Sequence, residues 1–173
     1  MLKKSKPIVG ISVGDPNGIG LEVILKSLDD KFVLDECSVI VFSNFKLIKN
    51  QMSFFNIDLP LKEISDFNGY DEHCINVYPV NKKEIKVSYG KLTNEGGVYS
   101  KDSLFAAVKS LKNKEIDALV TGPINKKNIQ SDDFQFKGHT DFLDNEFQGE
   151  SLMFMVSNEI KVALLTEHIP LSR

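Results

Sequence analysis

Residues 117–142 read DALVTGPINKKNIQSDDFQFKGHTDF, and this stretch decides the fold. Asp117 to Val120 is short, apolar and β-competent, and Gly122-Pro123 breaks any strand, so the pattern predicts a buried strand ending in a loop. Loops at the carboxyl ends of such strands are where open α/β sheets place their ligands. Gly138-His139-Thr140 then sets an imidazole beside a hydroxyl, just ahead of a helix expected over residues 141–147. Amides at that helix start, with its dipole, favour an anion.

Working outward, Asn94-Glu95-Gly96-Gly97 introduces a helix over 98–112, with Val98, Leu104, Ala107, Val108 and Leu111 on one core-facing stripe. At the amino end, residues 7–13 predict a first strand and residues 21–28 a helix. The loop between them, GDPNGIG (14–20), has the wrong glycine spacing for a dinucleotide fingerprint and no Lys-Ser/Thr for a P-loop. It reads either as a plain connection or as a ligand loop. Residues 37–42 predict a strand of the kind buried in a parallel sheet, followed by a helix over 44–55, and short extended pieces fall around 74–79. On the carboxyl side, apolar strands over 152–156 and 160–166 predict a hairpin that places His168 where a strand runs out. Phe54-Phe55 and the run Met153 to Met155 are expected as core filler. Strands alternate with helices, and no linker or repeat interrupts them, which predicts an α/β fold with a mostly parallel sheet.

The 173 residues are 42% hydrophobic and 26% charged, the balance of a globular chain that can bury a core. A net charge of −3, with no basic stripe carrying aromatics, argues against a nucleic-acid surface. The apolar stretch after Pro7 is too short and too broken for a secretory leader, and no run of roughly 18 apolar residues suggests a membrane span. Cys37 and Cys74 lie far apart without metal spacing, which points to reduced thiols in a cytoplasm. His73 has no partner at ligand spacing and reads as a surface histidine. Arg173 is the only arginine among 21 basic residues, so an anionic ligand falls to lysines, backbone amides or residues outside the sequence.

Four segments together, GDPNGIG, DALVTGPINK, FKGHTDF and TEHIPL, stand in the order and spacing of 4-hydroxythreonine-4-phosphate dehydrogenases, and the chain resembles the amino-terminal half of that family. The resemblance implies a three-layer α/β/α fold of the isocitrate/isopropylmalate dehydrogenase type, with a first lobe over 1–123 and the start of a second over 124–173. It further implies a homodimer with active sites at the subunit interface, an NAD (or NADP) cofactor, a divalent metal (Zn, Mg or Co) and a phosphorylated small-molecule substrate. The implied reaction oxidises a secondary alcohol to a β-keto acid that then loses carbon dioxide, in pyridoxal 5'-phosphate biosynthesis. By resemblance, His139 and Thr140 are the substrate-binding pair and His168 is the first of three metal-binding histidines. Leu21 stands where the family usually has proline, leaving the helix start less rigid.

The residue types suit that chemistry. Neutral imidazole ligates zinc-like ions near pH 7, and a Lewis acid on an alcohol oxygen favours hydride departure. Lys126 and Lys127 fit either a phosphate contact or a solvated helix start. Three functions are expected to compete: the 4-phosphooxy-L-threonine dehydrogenase, present as a fragment that lacks turnover alone; a relative acting on a phosphorylated sugar acid such as threonate 4-phosphate; or a non-catalytic phosphate-ligand binding or assembly module.

Overall fold

The computed structural model describes residues 6–80, 84–149, 151–164 and 166. It forms two compact units, one ending at Phe136 and one beginning at Lys137.

In the first unit, β1 (Ile8–Ser12), β2 (Ser38–Ser43), β3 (Leu61–Glu63), β4 (Ile75–Pro79) and β5 (Ala118–Thr121) build a five-stranded sheet in the order β3-β4-β2-β1-β5. Every pairing in it is parallel. The connecting helices are α1 (Gly20–Leu28), α2 (Lys31–Glu36), α3 (Phe45–Phe54) and α4 (Asn94–Lys112). Strand alternation sends side chains to two faces. Val39, Val41, Ile75 and Val77 meet α1 and α3 on one face, and Ile40 and Phe42 meet Ala107 of α4 on the other. Three α/β/α layers result, which is the expected fold class.

Capping explains where the helices start. Asp30, Asn44 and Thr93 each stand in extended backbone and accept from an amide two or three residues on, at Phe32, Leu47 and Gly96. With Thr93 as the cap, α4 begins at Asn94, four residues before the expected start, and takes Gly96 and Gly97 into its first turn. The elements α2 and β3, six and three residues long, are too short for periodicity to find, and went unpredicted.

Burial corrects several expectations. Leu104, Ala107 and Val108 are buried, but Val98, near the start of α4, is 49% exposed. Phe54 is 63% exposed at the end of α3, where it stacks on Tyr89 rather than entering the core. The strand β5 is not buried: it is the sheet's edge, and Ala118 and Val120 are exposed. His73 is exposed, as expected.

The second unit holds α5 (His139–Glu146) and an antiparallel hairpin of β6 (Phe154–Val156) and β7 (Lys161–Ala163). The hairpin was expected, with longer strands. Both its strands are exposed, so Met155 is not core filler: two short strands with no described layer over them cannot bury either face. No helix of the described residues is long and apolar enough to cross a membrane.

Candidate functional site

The chain leaves β1 toward α1, on one face of the sheet, while α4, on the other face, leads into β5. The neighbouring strands β1 and β5 therefore mark the point where connections change face, and their carboxyl ends open the crevice where α/β sheets bind ligands. A cleft of about 290 Å³ lies there, lined by Asp15, Asn17, Gly18 and Ile19 after β1, by Gly90, Lys91 and Leu92 before α4, and by Pro123, Ile124 and Asn125 after β5.

Its floor is a buried polar knot. Asp15 is 6% exposed and Asn17 3%. The amide of Asp15 donates to the carbonyl of Pro123 at 3.0 Å, joining the two loops. One carboxylate oxygen of Asp15 accepts from the backbone of Asn17 at 2.9 Å, and the other from Asn128 Nδ2 at 2.8 Å. Asn17 reaches the third segment: its Oδ1 accepts from Ser88 N at 2.7 Å, its carbonyl from Gly90 N at 2.9 Å, and its Nδ2 donates to Thr93 Oγ1 at 2.9 Å.

The glycines follow from this closeness. Gly14 sits at φ +69°, and a Cβ there would lie 2.2 Å from the carbonyl oxygen of Pro123. At Gly97 a Cβ would lie 1.9 Å from the carbonyl oxygen of Asn128. Backbone packing against backbone thus accounts for these two. By contrast, a Cβ on Gly18 would meet only Asp15 O at 3.4 Å, and one on Gly90 nothing within 4 Å, so the cleft's own glycines face open space. The loop is both a connection and a cleft wall.

Two other clefts carry different chemistry. One of about 510 Å³ runs between residues 84–88 and the start of α4, with Glu84, Lys86 and Glu95 in its walls. The other, about 350 Å³, lies within the second unit and is lined by Thr140, Leu143, Asp144, Phe147 and neighbours, with an acid and no cation, a poor place for a phosphate.

His139 and Thr140 were expected just before a helix; they form its first turn instead. The amide of Phe142 donates to Gly138 O at 3.1 Å, and Asp141 turns back to accept from Lys137 N at 3.0 Å. His139 is half-buried and Thr140 exposed. His168 lies outside the described residues. Among the described ones, no three His, Cys, Asp or Glu side chains gather as a metal site. Sequence reasoning passed over Asn17, Thr93 and Asn128; only Thr93 gave a signal, as a hydroxyl residue ahead of Asn-Glu-Gly-Gly.

Fold and cleft define an α/β/α protein with an open cleft at the carboxyl edge of a parallel sheet, the place where such folds bind ligands. The chain belongs to the family described as Pyridoxal phosphate biosynthetic protein PdxA, whose model matches residues 35–173. It is 32% identical over 171 residues to 4-hydroxythreonine-4-phosphate dehydrogenase of Bacteroides thetaiotaomicron, covering 98% of this chain and 47% of that protein. It is 31% identical over 173 residues to a Clostridium botulinum protein provisionally named D-threonate 4-phosphate dehydrogenase, covering 98% of this chain and 52% of the other. The crystal structure of a 4-hydroxythreonine-4-phosphate dehydrogenase from Burkholderia phymatum shares the fold at a TM-score of 0.84 and 24% identity, over 96% of this chain and 52% of that one. The chain spans about half the length of the curated relatives it matches.

Proposed function

We propose that this chain forms part of a dehydrogenase that oxidises a phosphorylated hydroxy acid, with 4-phosphooxy-L-threonine the substrate in pyridoxal 5'-phosphate biosynthesis. The family match over residues 35–173 carries this reading. A dehydrogenase needs a hydride acceptor that no side chain supplies. The residues of the switch-point cleft fit the nicotinamide end of NAD or NADP: Gly18 and Gly90 leave open space, and Ile19, Leu92 and Pro123 offer apolar walls. At about 290 Å³ it lies near the roughly 300 Å³ lower bound of small-molecule sites, room for part of a dinucleotide.

His139 and Thr140 are the substrate-binding pair, the imidazole and hydroxyl contacting the substrate's polar groups from the first turn of α5. His168 is a metal-binding histidine, a role that rests on the resemblance alone; a divalent ion (Zn, Mg or Co) there would polarise the alcohol oxygen. The homodimer, the interface site, the cytoplasmic location and the lobe division at 123/124 belong to the same reading. The 173 residues alone, with one of three implied metal histidines, are expected to lack turnover.

A second substrate has its own support: the Clostridium botulinum relative is named for D-threonate 4-phosphate. Incubating the full-length protein with NAD, a divalent metal and either substrate while following NADH absorbance separates the two. NADH from 4-phosphooxy-L-threonine supports the first reading and NADH from D-threonate 4-phosphate alone the second. Binding of either compound with no NADH formed favours a non-catalytic module.

A further inference from the structure

Capping a helix asks one bond of its N-cap side chain, and Thr93 makes that bond: Gly96 N donates to its Oγ1 at 3.0 Å. The same oxygen also accepts from Asn17 Nδ2 at 2.9 Å. The carbonyl of Thr93 accepts from Asn128 Nδ2 at 3.1 Å and from Gly97 N at 3.2 Å. Thus the glycine-rich loop, the segment after β5 and the first turn of α4 all meet at one residue. Only the first and last bonds belong to the helix. The other two are side-chain bonds from loops 76 and 35 residues away in sequence.

We propose that Thr93 is a positioning residue for the cofactor: it fixes Asn17 and the segment 88–92, and so sets the width of the cleft between Gly18-Ile19 and Gly90-Leu92. Asn17 is held by Thr93 through one end of its carboxamide and holds Ser88 N through the other. Losing the first bond frees the amide plane to rotate and loosens the second. The inference rests on reading that cleft as the nicotinamide site.

Three substitutions separate positioning from capping. Thr93→Ser keeps the hydroxyl; Thr93→Val keeps the shape without it. Thr93→Asp keeps a good cap but sets a carboxylate beside Asp15, whose Oδ1 lies, like Thr93 Oγ1, within 3.1 Å of the point where a Cβ on Gly96 would stand. NAD affinity of the full-length protein, measured by titration with melting followed in parallel, should hold within about threefold in Thr93→Ser and fall about tenfold or more in Thr93→Val and Thr93→Asp. A Val variant that melts lower but binds NAD like the wild type overturns the inference and leaves Thr93 a cap. Wild-type protein that does not bind NAD overturns the cofactor reading, and this inference with it.

A measurement without substitution covers variants that fail to fold. Adding NAD to the wild type should slow hydrogen exchange at Gly96, whose amide bonds Thr93 but does not line the cleft, together with Gly18 and Gly90. Protection confined to residues 18–19 and 90–92 counts against positioning through Thr93.

Discussion

Asn128 donates to the carboxylate of Asp15 at 2.8 Å across 113 residues of sequence, tying the segment after β5 to the loop after β1. The same amide nitrogen also donates to the carbonyl of Thr93 at 3.1 Å. Asp15 is buried and Thr93 half-buried, so water reaches neither bond freely.

Replacing Asn128 by Ala should therefore destabilise the chain, but moderately. A hydrogen bond to a charged group contributes about 1.5–3 kcal/mol, while the buried Oδ1 of Asn128, which has no hydrogen-bond partner among the described residues, offsets part of it once removed. A net loss of about 1–2 kcal/mol is expected, read as a lower urea midpoint at unchanged slope.

Glycine substitutions should rank by what a Cβ meets. Gly90→Ala meets open space and bears only the strain of φ +72°, about 1 kcal/mol. Gly97→Ala drives a Cβ into the carbonyl oxygen of Asn128, which cannot move without dragging the knot, and should cost more than about 3 kcal/mol or prevent folding. Urea denaturation of the two variants orders them, and a Gly97→Ala protein as stable as Gly90→Ala would refute the close approach.

Much of this was legible in the sequence, and the failures share a cause. Apolar runs bounded by turn residues located β1, β2, β4, β5, the hairpin and four of the five helices of the described residues, since those signals are local. Periodicity shows which face of an element is apolar but not whether anything covers it, so Val98, Phe54, Met155 and the edge strand β5 were placed inside and lie outside. His139 and Thr140 stood out through their neighbours in the chain. Asn17, Thr93 and Asn128 come together only through the crossing of three loops, and no linear pattern marks such a meeting.

Tyr99 should make stability fall at alkaline pH. It is 2% exposed, its hydroxyl bonds Ser43 Oγ at 2.9 Å and accepts from Asn44 N at 2.7 Å, and burial pushes its pKa up. The unfolded chain then loses this proton first, near the ordinary tyrosine value of about 10, while the folded chain keeps it. Its stabilising effect is full below that pH and is lost as pH rises toward the higher folded value. Tyr99→Phe should lose about 1–2 kcal/mol at neutral pH, for the bonds it forgoes, and show a shallower decline above about pH 10. Parallel slopes for the two proteins would clear Tyr99 of the effect.

His139 and His168 should fail in opposite ways if their proposed roles are right. A substrate contact from the first turn of α5 acts on the ligand directly, so His139→Asn or Thr140→Val in the full-length protein should raise KM for the phosphorylated substrate about tenfold or more. Metal affinity, measured by equilibrium dialysis, should stay unchanged in both. His168→Ala removes a ligand from the ion, so metal affinity should fall about tenfold to a hundredfold and activity should recover partly at raised metal concentration. Thr140 is exposed, while His139 is half-buried with its Nε2 shielded, so melting followed in parallel separates a shifted KM from misfolding. A His139→Asn enzyme that loses metal and keeps its KM would reverse the two assignments.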